Sequence, residues 1–323
     1  MRAAYYETNG AARDVLRVGE VDTPSPGPGE VRVRLKTSGV NPSDVKAREG
    51  RTRKIAFPRV IPHSDGAGEI DATGDGVPAS RKGERVWVWN AQWKRPFGTS
   101  AEYVVLPAAL AVPLPANVSD TAGACLGIPA MTAFHAVAVA GNAKTVLVTG
   151  GAGGVGHYAI QFAKARGATV LTTVSSDAKA ALARQAGADH TIDYKRENVG
   201  ERVMALTGKT GVDAVIEMDL AANAKLYPAI LHPRGHVVIY GTGSPEAAIP
   251  AQPLLIGAMK LEFIYVYELT AAEREAAVSG ITRLLENGML VNNVALTLPL
   301  NDIVAAHEAV EQGKAMGNVV VTL

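Results

Sequence analysis

Two patterns of hydrophobic and polar positions divide this chain near residue 120. Before that point, apolar residues alternate with polar ones in short runs bounded by glycine and proline, as in Val31–Leu35, Arg85–Trp89 and Ala101–Leu106. Alternation of this kind is typical of strands that bury one face. The first part of the chain is therefore predicted to form a β-rich, partly closed sheet.

From about residue 121 onward, uniformly apolar runs alternate with helical patterns. The apolar runs cover 145–149, 169–174, 191–193, 213–218, 236–240 and 261–267. The helical patterns between them cover 154–166, 177–186, 197–207 and 222–232. Runs that are apolar on both faces are typical of parallel strands covered by helices, so this part is predicted to be a doubly wound parallel sheet.

Two more helical patterns, 271–287 and 301–312, and a final strand, 318–323, follow the last apolar run. They do not extend the parallel sheet, so we expect them to fold back onto the N-terminal part. The predicted organisation is an α/β protein in which residues 1–120 and 268–323 form one β-rich domain. Residues 121–267 form a dinucleotide-binding domain inserted into it.

The segment Thr145–Gly156 reads TVLVTGGAGGVG, and an amphipathic stretch, 157–166, follows at once. A buried strand that ends on a glycine turn and opens a helix is the arrangement that binds a pyrophosphate. The free N–H groups and the dipole at the start of such a helix face the anion. Gly151, Gly153 and Gly156 fit the three glycine positions of that motif, and the alternative is a turn that binds no ligand.

The residues about 20 positions after such a turn distinguish NADH from NADPH, because Asp or Glu there usually holds a free ribose 2′-hydroxyl. Here the second strand ends in Ser175 and Ser176, and Lys179 follows one turn later. Two hydroxyls and an ammonium suit a 2′-phosphate, although both serines also suit a plain helix N-cap. The pattern predicts NADPH.

Composition restricts the classes of function. A net charge of +1 argues against nucleic acid as a partner, and the single cysteine, Cys125, excludes internal disulfides and thiolate-rich metal sites. The chain has neither an apolar signal segment at its start nor a run of about 18 apolar residues. We therefore expect a cytoplasmic protein with no membrane partner.

Nine short motifs occur in order along the chain and together resemble one family. They are Gly39–Asp44, Pro62–Gly68, Lys82–Val86, Ala101–Tyr103, Gly127–Ala133, the glycine turn, Gly187–His190, Ile192–Tyr194 and Gly235–Val238. With them the chain resembles, over essentially its whole length, the quinone oxidoreductase (zeta-crystallin) branch of the medium-chain dehydrogenase/reductase superfamily. The resemblance implies a Rossmann domain inserted into a GroES-like catalytic domain.

The resemblance also implies roles for individual residues. Asn41 and Lys46 would lie in the active-site cleft near the nicotinamide, with Lys46 standing where this branch usually has tyrosine. Residues matching cofactor-binding positions are Thr132, Ala152, Gly153, Gly154, Val155, Ser175, Lys179, Tyr194, Asn223, Tyr240, Gly241, Thr242, Val266, Tyr267 and Asn318. Asn318 replaces a residue that is often basic. Lys46 or a bound water would stabilise the developing enolate or phenolate, the alternative being a solvated lysine.

Zinc-dependent relatives carry a cysteine in the region of Asn41 and a His-Glu pair where this chain has Ser64 and Asp65. The lobe with four cysteines is absent, and His63 is one position away from the ligand site. Zinc needs three or four ligands, so we expect no metal and a cleft-lining or hydrogen-bonded His63. Without a Lewis acid, hydride transfer suits acceptors whose developing oxyanion is delocalised.

The predicted function is therefore the NADPH-dependent, zinc-free reduction of quinones or activated α,β-unsaturated carbonyl compounds, with the physiological acceptor left open. One alternative is a 2-enoyl thioester reductase, with Arg51, Arg53, Lys54 and Arg59 as a rim for a coenzyme A tail. Another is a non-catalytic NADPH-binding protein with a structural or RNA-binding role. The apolar, aromatic stretch 261–267 would be an exposed edge strand, which predicts a homodimer.

Overall fold

The elements of the computed structural model, which describes residues 1–323, follow the two predicted patterns. In chain order the strands are β1 (Arg2–Tyr5), β2 (Arg17–Glu20), β3 (Glu30–Val40), β4 (Asp65–Thr73), β5 (Arg85–Val88), β6 (Tyr103–Pro107), β7 (Ala111–Pro113), β8 (Thr145–Val148), β9 (Thr169–Val174), β10 (His190–Asp193), β11 (Val212–Glu217), β12 (Leu231–Ile239), β13 (Lys260–Phe263), β14 (Val294–Pro299) and β15 (Asn318–Thr322). The α-helices are α1 (Ala12–Val15), α2 (Pro42–Glu49), α3 (Asp120–Gly123), α4 (Met131–Val139), α5 (Gly154–Ala165), α6 (Asp177–Gln185), α7 (Val199–Leu206), α8 (Leu220–Asn223), α9 (Tyr227–Ile230), α10 (Ala251–Ile256), α11 (Ala271–Glu286) and α12 (Ile303–Glu311). None of them has both the length and the apolar content needed to cross a membrane.

The chain divides into a first unit, Met1–Pro129 with Ile281–Leu323, and a second unit, Ala130–Gly280. The second unit contains a six-stranded sheet with the strand order β10-β9-β8-β11-β12-β13, and every neighbouring pair is parallel. The chain runs outward from β8 in one direction and from β11 in the other. This reversal of strand order confirms the predicted doubly wound Rossmann sheet, and such a switch point is where ligands bind.

The first unit is built on a seven-stranded sheet in which β14, β15, β3, β4, β5 and β7 follow one another and β6 also pairs with β3. The final strand, β15, runs antiparallel to β3, with Val319 opposite Val40. This pairing brings the C-terminal segment back to the N-terminal part. Apolar side chains that alternate along the strands, such as Val33, Ile70 and Val104, form the core of this sheet.

The boundaries between the units lie at 129/130 and 280/281, whereas the sequence pattern predicts 120/121 and 267/268. The first boundary lies later because the Ile128 N–H donates to Asp65 Oδ1 over 2.8 Å and keeps this segment in the first unit. The second lies later because α11 packs closely on α4. A Cβ at Gly280 would be 2.2 Å from the Phe134 ring.

Two predicted elements are shorter than their patterns indicate. The helix predicted over 222–232 is broken into α8, a 3₁₀ turn (Ala224–Leu226) and α9. Pro228 has no N–H and is tolerated only in the first turn of a helix, so a new helix has to begin there. The strand predicted over 261–267 ends at Phe263 because the Ile264 N–H bonds to Ile239, the last residue of its partner strand.

Candidate functional site

The glycine turn of the second unit joins β8 to α5 and fits the phosphate-binding motif in detail. A Cβ at Gly151 would lie 2.1 Å from Thr172 Oγ1, and one at Gly156 would lie 2.3 Å from the Gly150 carbonyl oxygen. These two positions therefore admit only glycine. The N-cap residue, Gly153, is exposed and has no side chain to cap the helix, so the first N–H groups of α5 are left for a ligand.

Most of the predicted cofactor residues follow the carboxyl ends of the parallel strands. Ala152 to Val155 follow β8, Ser175 and Lys179 follow β9, Tyr194 follows β10, Asn223 follows β11, Tyr240, Gly241 and Thr242 follow β12, and Val266 and Tyr267 follow β13. Because parallel strands end at the same edge of a sheet, the fold brings these residues to one edge. Thr132 is buried in α4 instead, and Asn318 lies in β15 of the first unit, bonded to the Asn293 carbonyl.

The end of β9 is polar and cationic. Lys179 Nζ donates to Ser175 Oγ over 3.1 Å, and Ser176 Oγ accepts the Lys179 N–H as the cap of α6. The nearby Asp177 is paired with Arg196, whose Nη1 lies 3.3 Å from Asp177 Oδ1. The sequence did not indicate the pairing of Arg196 with Asp177, because 19 residues separate the two. The pairing leaves Lys179 as the free charge beside Ser175.

A second residue that sequence reasoning missed is Glu217, which ends β11 and is fully buried. Its Oε1 accepts hydrogen bonds from Thr149 Oγ1 (2.9 Å), the Asp219 N–H (2.6 Å) and Asn223 Nδ2 (3.0 Å), and its Oε2 accepts from the Tyr227 hydroxyl (3.1 Å). Thr149 directly precedes the glycine turn. Glu217 therefore fixes the ends of β8 and β11, and it commits the Asn223 amide to a structural bond.

In the first unit, Asn41 is buried at the N-cap of α2, and its hydrogen bonds fix its amide. Its backbone N–H donates to Asp44 Oδ2 over 2.8 Å, and its Nδ2 donates to Asp65 Oδ2 over 2.7 Å. The other oxygen of Asp65 accepts the Ile128 N–H. Burial raises the pKa of Asp44 to about 7 and the pKa of Asp65 well above its ordinary value. Lys46, one turn further along α2, is half-buried.

A chain of hydrogen bonds links Asp65 to two buried histidines. It runs from the Asp65 carbonyl through Thr99 Oγ1 and Ser38 Oγ, which are 2.7 Å apart. Ser38 Oγ then lies 2.8 Å from His63 Nδ1, and His63 Nε2 lies 2.9 Å from His307 Nε2. His63 is thus hydrogen-bonded, one of the two predicted environments, and it has a left-handed backbone with φ of 77°.

The donor and acceptor roles along this series of hydrogen bonds determine the tautomer of each histidine. The Thr99 hydroxyl donates to a carbonyl, so its oxygen accepts from Ser38, and Ser38 in turn accepts from His63 Nδ1–H. His63 Nε2 is then a bare acceptor that takes a hydrogen bond from His307 Nε2–H. His307 Nδ1 is left bare, buried and without a partner. Both rings are therefore neutral in the folded protein.

Burial lowers the pKa of His63 to about 3. It also lowers the pKa of His307 well below its ordinary value, with smaller contributions from His63 and the buried Arg48.

The residues at the zinc-ligand positions do not fit zinc. Both oxygens of Asp65 and both ring nitrogens of His63 are taken by the hydrogen bonds described above. No three His, Cys, Asp or Glu side chains are grouped so that they could hold a metal ion. Cys125 is buried, and burial raises the pKa of its thiol above the ordinary value, so it is not a thiolate ligand.

Two of the four residues of the basic rim are paired with neighbouring carboxylates. Arg51 pairs with Glu49, and Arg59 pairs with Glu7 at 2.8 Å while its guanidinium stacks on Tyr5. A coenzyme A tail would therefore find fewer free cations here than the sequence indicates.

The chain matches the family model of the alcohol dehydrogenase GroES-like domain over residues 27–116 and that of the zinc-binding dehydrogenase over residues 154–282. It is 32% identical to the quinone oxidoreductase of Rattus norvegicus, over 96% of this chain and 94% of the relative. It is 30% identical to a 2-haloacrylate reductase of a Burkholderia species, over 93% of each. A mycobacterial protein solved in complex with NADPH superposes with a TM-score of 0.89 at 29% identity, covering 100% of both chains.

The histidine pair predicts a specific loss of stability in acid. Both folded-state pKa values lie below the ordinary value of about 6.5. As the pH drops, these histidines therefore become protonated in the unfolded chain while they remain neutral in the folded chain. The free energy of unfolding falls as a result. Each histidine contributes about 1.4 kcal/mol per pH unit below that value. His307→Gln is expected to make the loss between pH 7.5 and 5.0 smaller by about 2 kcal/mol.

Urea unfolding at a series of pH values measures this difference. His232→Gln, which changes an exposed histidine, serves as the control and is expected to give a curve parallel to that of the wild type. A His307→Gln curve that is equally parallel would contradict the assignment of a neutral buried pair.

Proposed function

The chain belongs to the quinone oxidoreductase branch of the medium-chain dehydrogenase/reductase superfamily, and from this premise we propose its reaction. It is an NADPH-dependent oxidoreductase that reduces quinones or activated α,β-unsaturated carbonyl compounds without zinc. The names of its relatives, a quinone oxidoreductase and a 2-haloacrylate reductase, support both acceptor classes.

The observation that carries the proposal is the glycine turn at the switch point of the parallel sheet, with Ser175 and Lys179 at the next strand end. The N–H groups at the start of α5 would hold the pyrophosphate, and the lysine and serine would hold the 2′-phosphate. Arg196 supports this assignment because it pairs with Asp177, the carboxylate that directly follows Ser175 and Ser176 in the sequence.

When bound, NADPH supplies a hydride for an electron-poor carbon of the acceptor. Asn41 would stabilise the negative charge that then develops on the acceptor oxygen. Its Nδ2 has two hydrogens, one of which is committed to Asp65, so the other remains for the oxygen. The Asp65 carboxyl, held by the Ile128 N–H, fixes the direction of that donor before the reaction begins. Water supplies the proton that completes the product.

We also propose that no zinc takes part. Asn41, Ser64 and Asp65 occupy the ligand positions, and the asparagine and aspartate are committed to each other. A quinone or enone needs no metal because its oxyanion is delocalised, and a fixed hydrogen-bond donor is enough to stabilise it.

Turnover assays test the reaction and the cofactor together. NADPH is expected to be oxidised with 1,4-benzoquinone or trans-2-hexenal, faster than NADH and equally well after dialysis against EDTA. Lys179→Gln is expected to lower kcat/KM for NADPH about tenfold or more, because an ammonium–phosphate bond contributes about 1.5–3 kcal/mol, and to leave NADH within about threefold. Arg13→Gln, an exposed change in the first unit, is the control.

Other outcomes would select the alternatives. Turnover only with a crotonyl thioester would support the enoyl thioester reductase, and NADPH binding at micromolar affinity without turnover of any acceptor would support a non-catalytic protein.

The catalytic residues are tested by changing each one in turn. Asn41→Ala is expected to lower kcat about 100-fold, as the loss of one oxyanion donor does. Lys46→Met is expected to lower kcat/KM by more than about threefold, because a cation one turn from Asn41 would favour the anionic intermediate. Lys82→Met, an exposed lysine of the same unit, serves as the control. Lys46 is not catalytic if its variant stays within about threefold of the wild type, a difference below 1 kcal/mol.

We further propose a homodimer that pairs β13 with its counterpart in a second copy. β13 is the last strand of its sheet, so its outer edge has no partner strand. Large apolar side chains are exposed on β13 and on the preceding helix α10, with Leu255, Ile256 and Phe263 exposed by 80%, 78% and 69%. An edge strand can pair with itself about a two-fold axis, which closes the contact and buries these side chains.

Sedimentation velocity at micromolar concentration is expected to give a dimer, and Phe263→Lys is expected to give a monomer because the charge would be buried at the interface. Met289→Lys, at an exposed apolar residue of the first unit, should leave the dimer intact. A monomeric wild type would refute this assembly.

A further inference from the structure

Arg53 is held in a fixed position on the first unit. Its Nη2 donates to Oε1 of Gln92, and its guanidinium lies over the Trp93 ring at 5.3 Å from the centroid. Gln92 is buried and is itself anchored, because its Nε2 donates to the Arg95 carbonyl over 2.8 Å. A guanidinium held by stacking and by one hydrogen bond loses little freedom when it binds a ligand.

Arg53 also lacks the carboxylate partner that its neighbours have. Arg51 pairs with Glu49 and Arg59 pairs with Glu7, whereas no carboxylate oxygen lies within 4.0 Å of Arg53. A guanidinium has five N–H donors, and the bond to Gln92 uses one of them. The remaining donors form the planar fork that matches a carboxylate.

Two buried titratable groups, Tyr6 and Asp44, lie near Arg53. The buried Tyr6 and Asp44 are near enough for its charge to act on them, yet burial outweighs this effect and raises the pKa of Asp44 to about 7 and the pKa of Tyr6 to about 12. The Lys94 ammonium also lies over the Trp93 ring, at 5.4 Å from the centroid. Asp44 accepts the backbone N–H of Asn41, so Arg53 lies near the proposed oxyanion donor.

We propose that Arg53 binds a carboxylate of the acceptor, so that activated 2-alkenoic acids are preferred over their neutral counterparts. This inference rests on the proposed reductase function and names its substrate class. A neutral quinone can accept a hydrogen bond at its carbonyl oxygens, but it has no anionic group to pair with the charge of the guanidinium.

In the proposed reaction, the guanidinium would offset negative charge on the intermediate. Carbon 3 of the alkenoate accepts a hydride from the cofactor, and the electrons of the carbon–carbon double bond move onto carbon 2 and the carboxylate. Carbon 2 then takes a proton from water, which gives the saturated acid and NADP⁺. The intermediate carries two negative charges, so hydride addition to a carboxylate is slow unless a cation offsets one of them and an electron-withdrawing substituent stabilises carbon 2.

A matched pair of acceptors tests the proposal, namely 2-chloroacrylate and its neutral amide, with 1,4-benzoquinone as the reference acceptor. The amide is intrinsically the better hydride acceptor, so a preference for the acid requires recognition of its charge. The wild type is expected to prefer the acid in kcat/KM by about tenfold or more, the range of one charged hydrogen bond, and Arg53→Gln is expected to abolish that preference. Arg53→Lys, which keeps the charge but not the fork, should retain part of it.

Arg34→Gln makes the same change at an exposed arginine of the same unit and should leave the preference unchanged. Equal or greater turnover of the amide by the wild type overturns the proposal, as does an Arg53→Gln variant that lowers the two rates by the same factor. The comparison within the wild type does not depend on how the variants fold. Failure to oxidise NADPH with any of the three acceptors would instead overturn the reductase function itself.

Discussion

The first unit depends on the burial of one carboxyl group. Asp65 has no exposed surface, and a buried polar group that is not hydrogen-bonded costs several kcal/mol, roughly 2–7. Its side chain satisfies this requirement with Asn41 and the Ile128 N–H, and its carbonyl accepts from Thr99. These bonds tie the start of β4 to the cap of α2 and to the segment before α4. The direction of the Asn41 amide follows from the need to satisfy Asp65.

In the second unit, the buried carboxyl group that holds neighbouring segments in place is that of Glu217. It is also fully buried, and its donors come from the ends of β8 and β11 and from α8 and α9. Both carboxyl groups lie at a strand terminus, where the backbone leaves regular structure and needs another way to fix its course. In each unit, a buried acid with several donors holds the irregular segments on which ligand binding would depend.

The sequence predicted the parallel sheet well because strands covered on both faces leave continuous apolar runs, as in Thr169–Val174. The glycine turn was readable because Gly151 and Gly156 meet steric requirements set by residues close in sequence or on the next strand. The helix predicted over 222–232 is longer than the helices observed there, because the apolar pattern continues through Pro228 although a helix cannot. His63 and His307 could not be paired from the sequence, since 244 residues separate them and each looks like an ordinary core histidine. The hydrogen bond between Asn223 and Glu217 was equally hidden, because the sequence pattern does not show which side chains meet at the strand ends.

A reductase of the proposed kind, acting without a Lewis acid, would have to offset developing negative charge with its own side chains, and these help only if they are oriented before the reaction. Asn41 and Arg53 both meet that condition through a neighbour. Asp65 orients the amide, while Gln92 and the Trp93 ring orient the guanidinium. Acidic groups beside them would normally weaken such cations and donors. Burial removes this obstacle by raising the pKa of Asp44 and Asp65, so that these acids hold the local structure while carrying less negative charge than exposed carboxylates would. The same burial that makes Asp65 the structural centre of the first unit therefore also disfavours a negative charge beside the Asn41 amide.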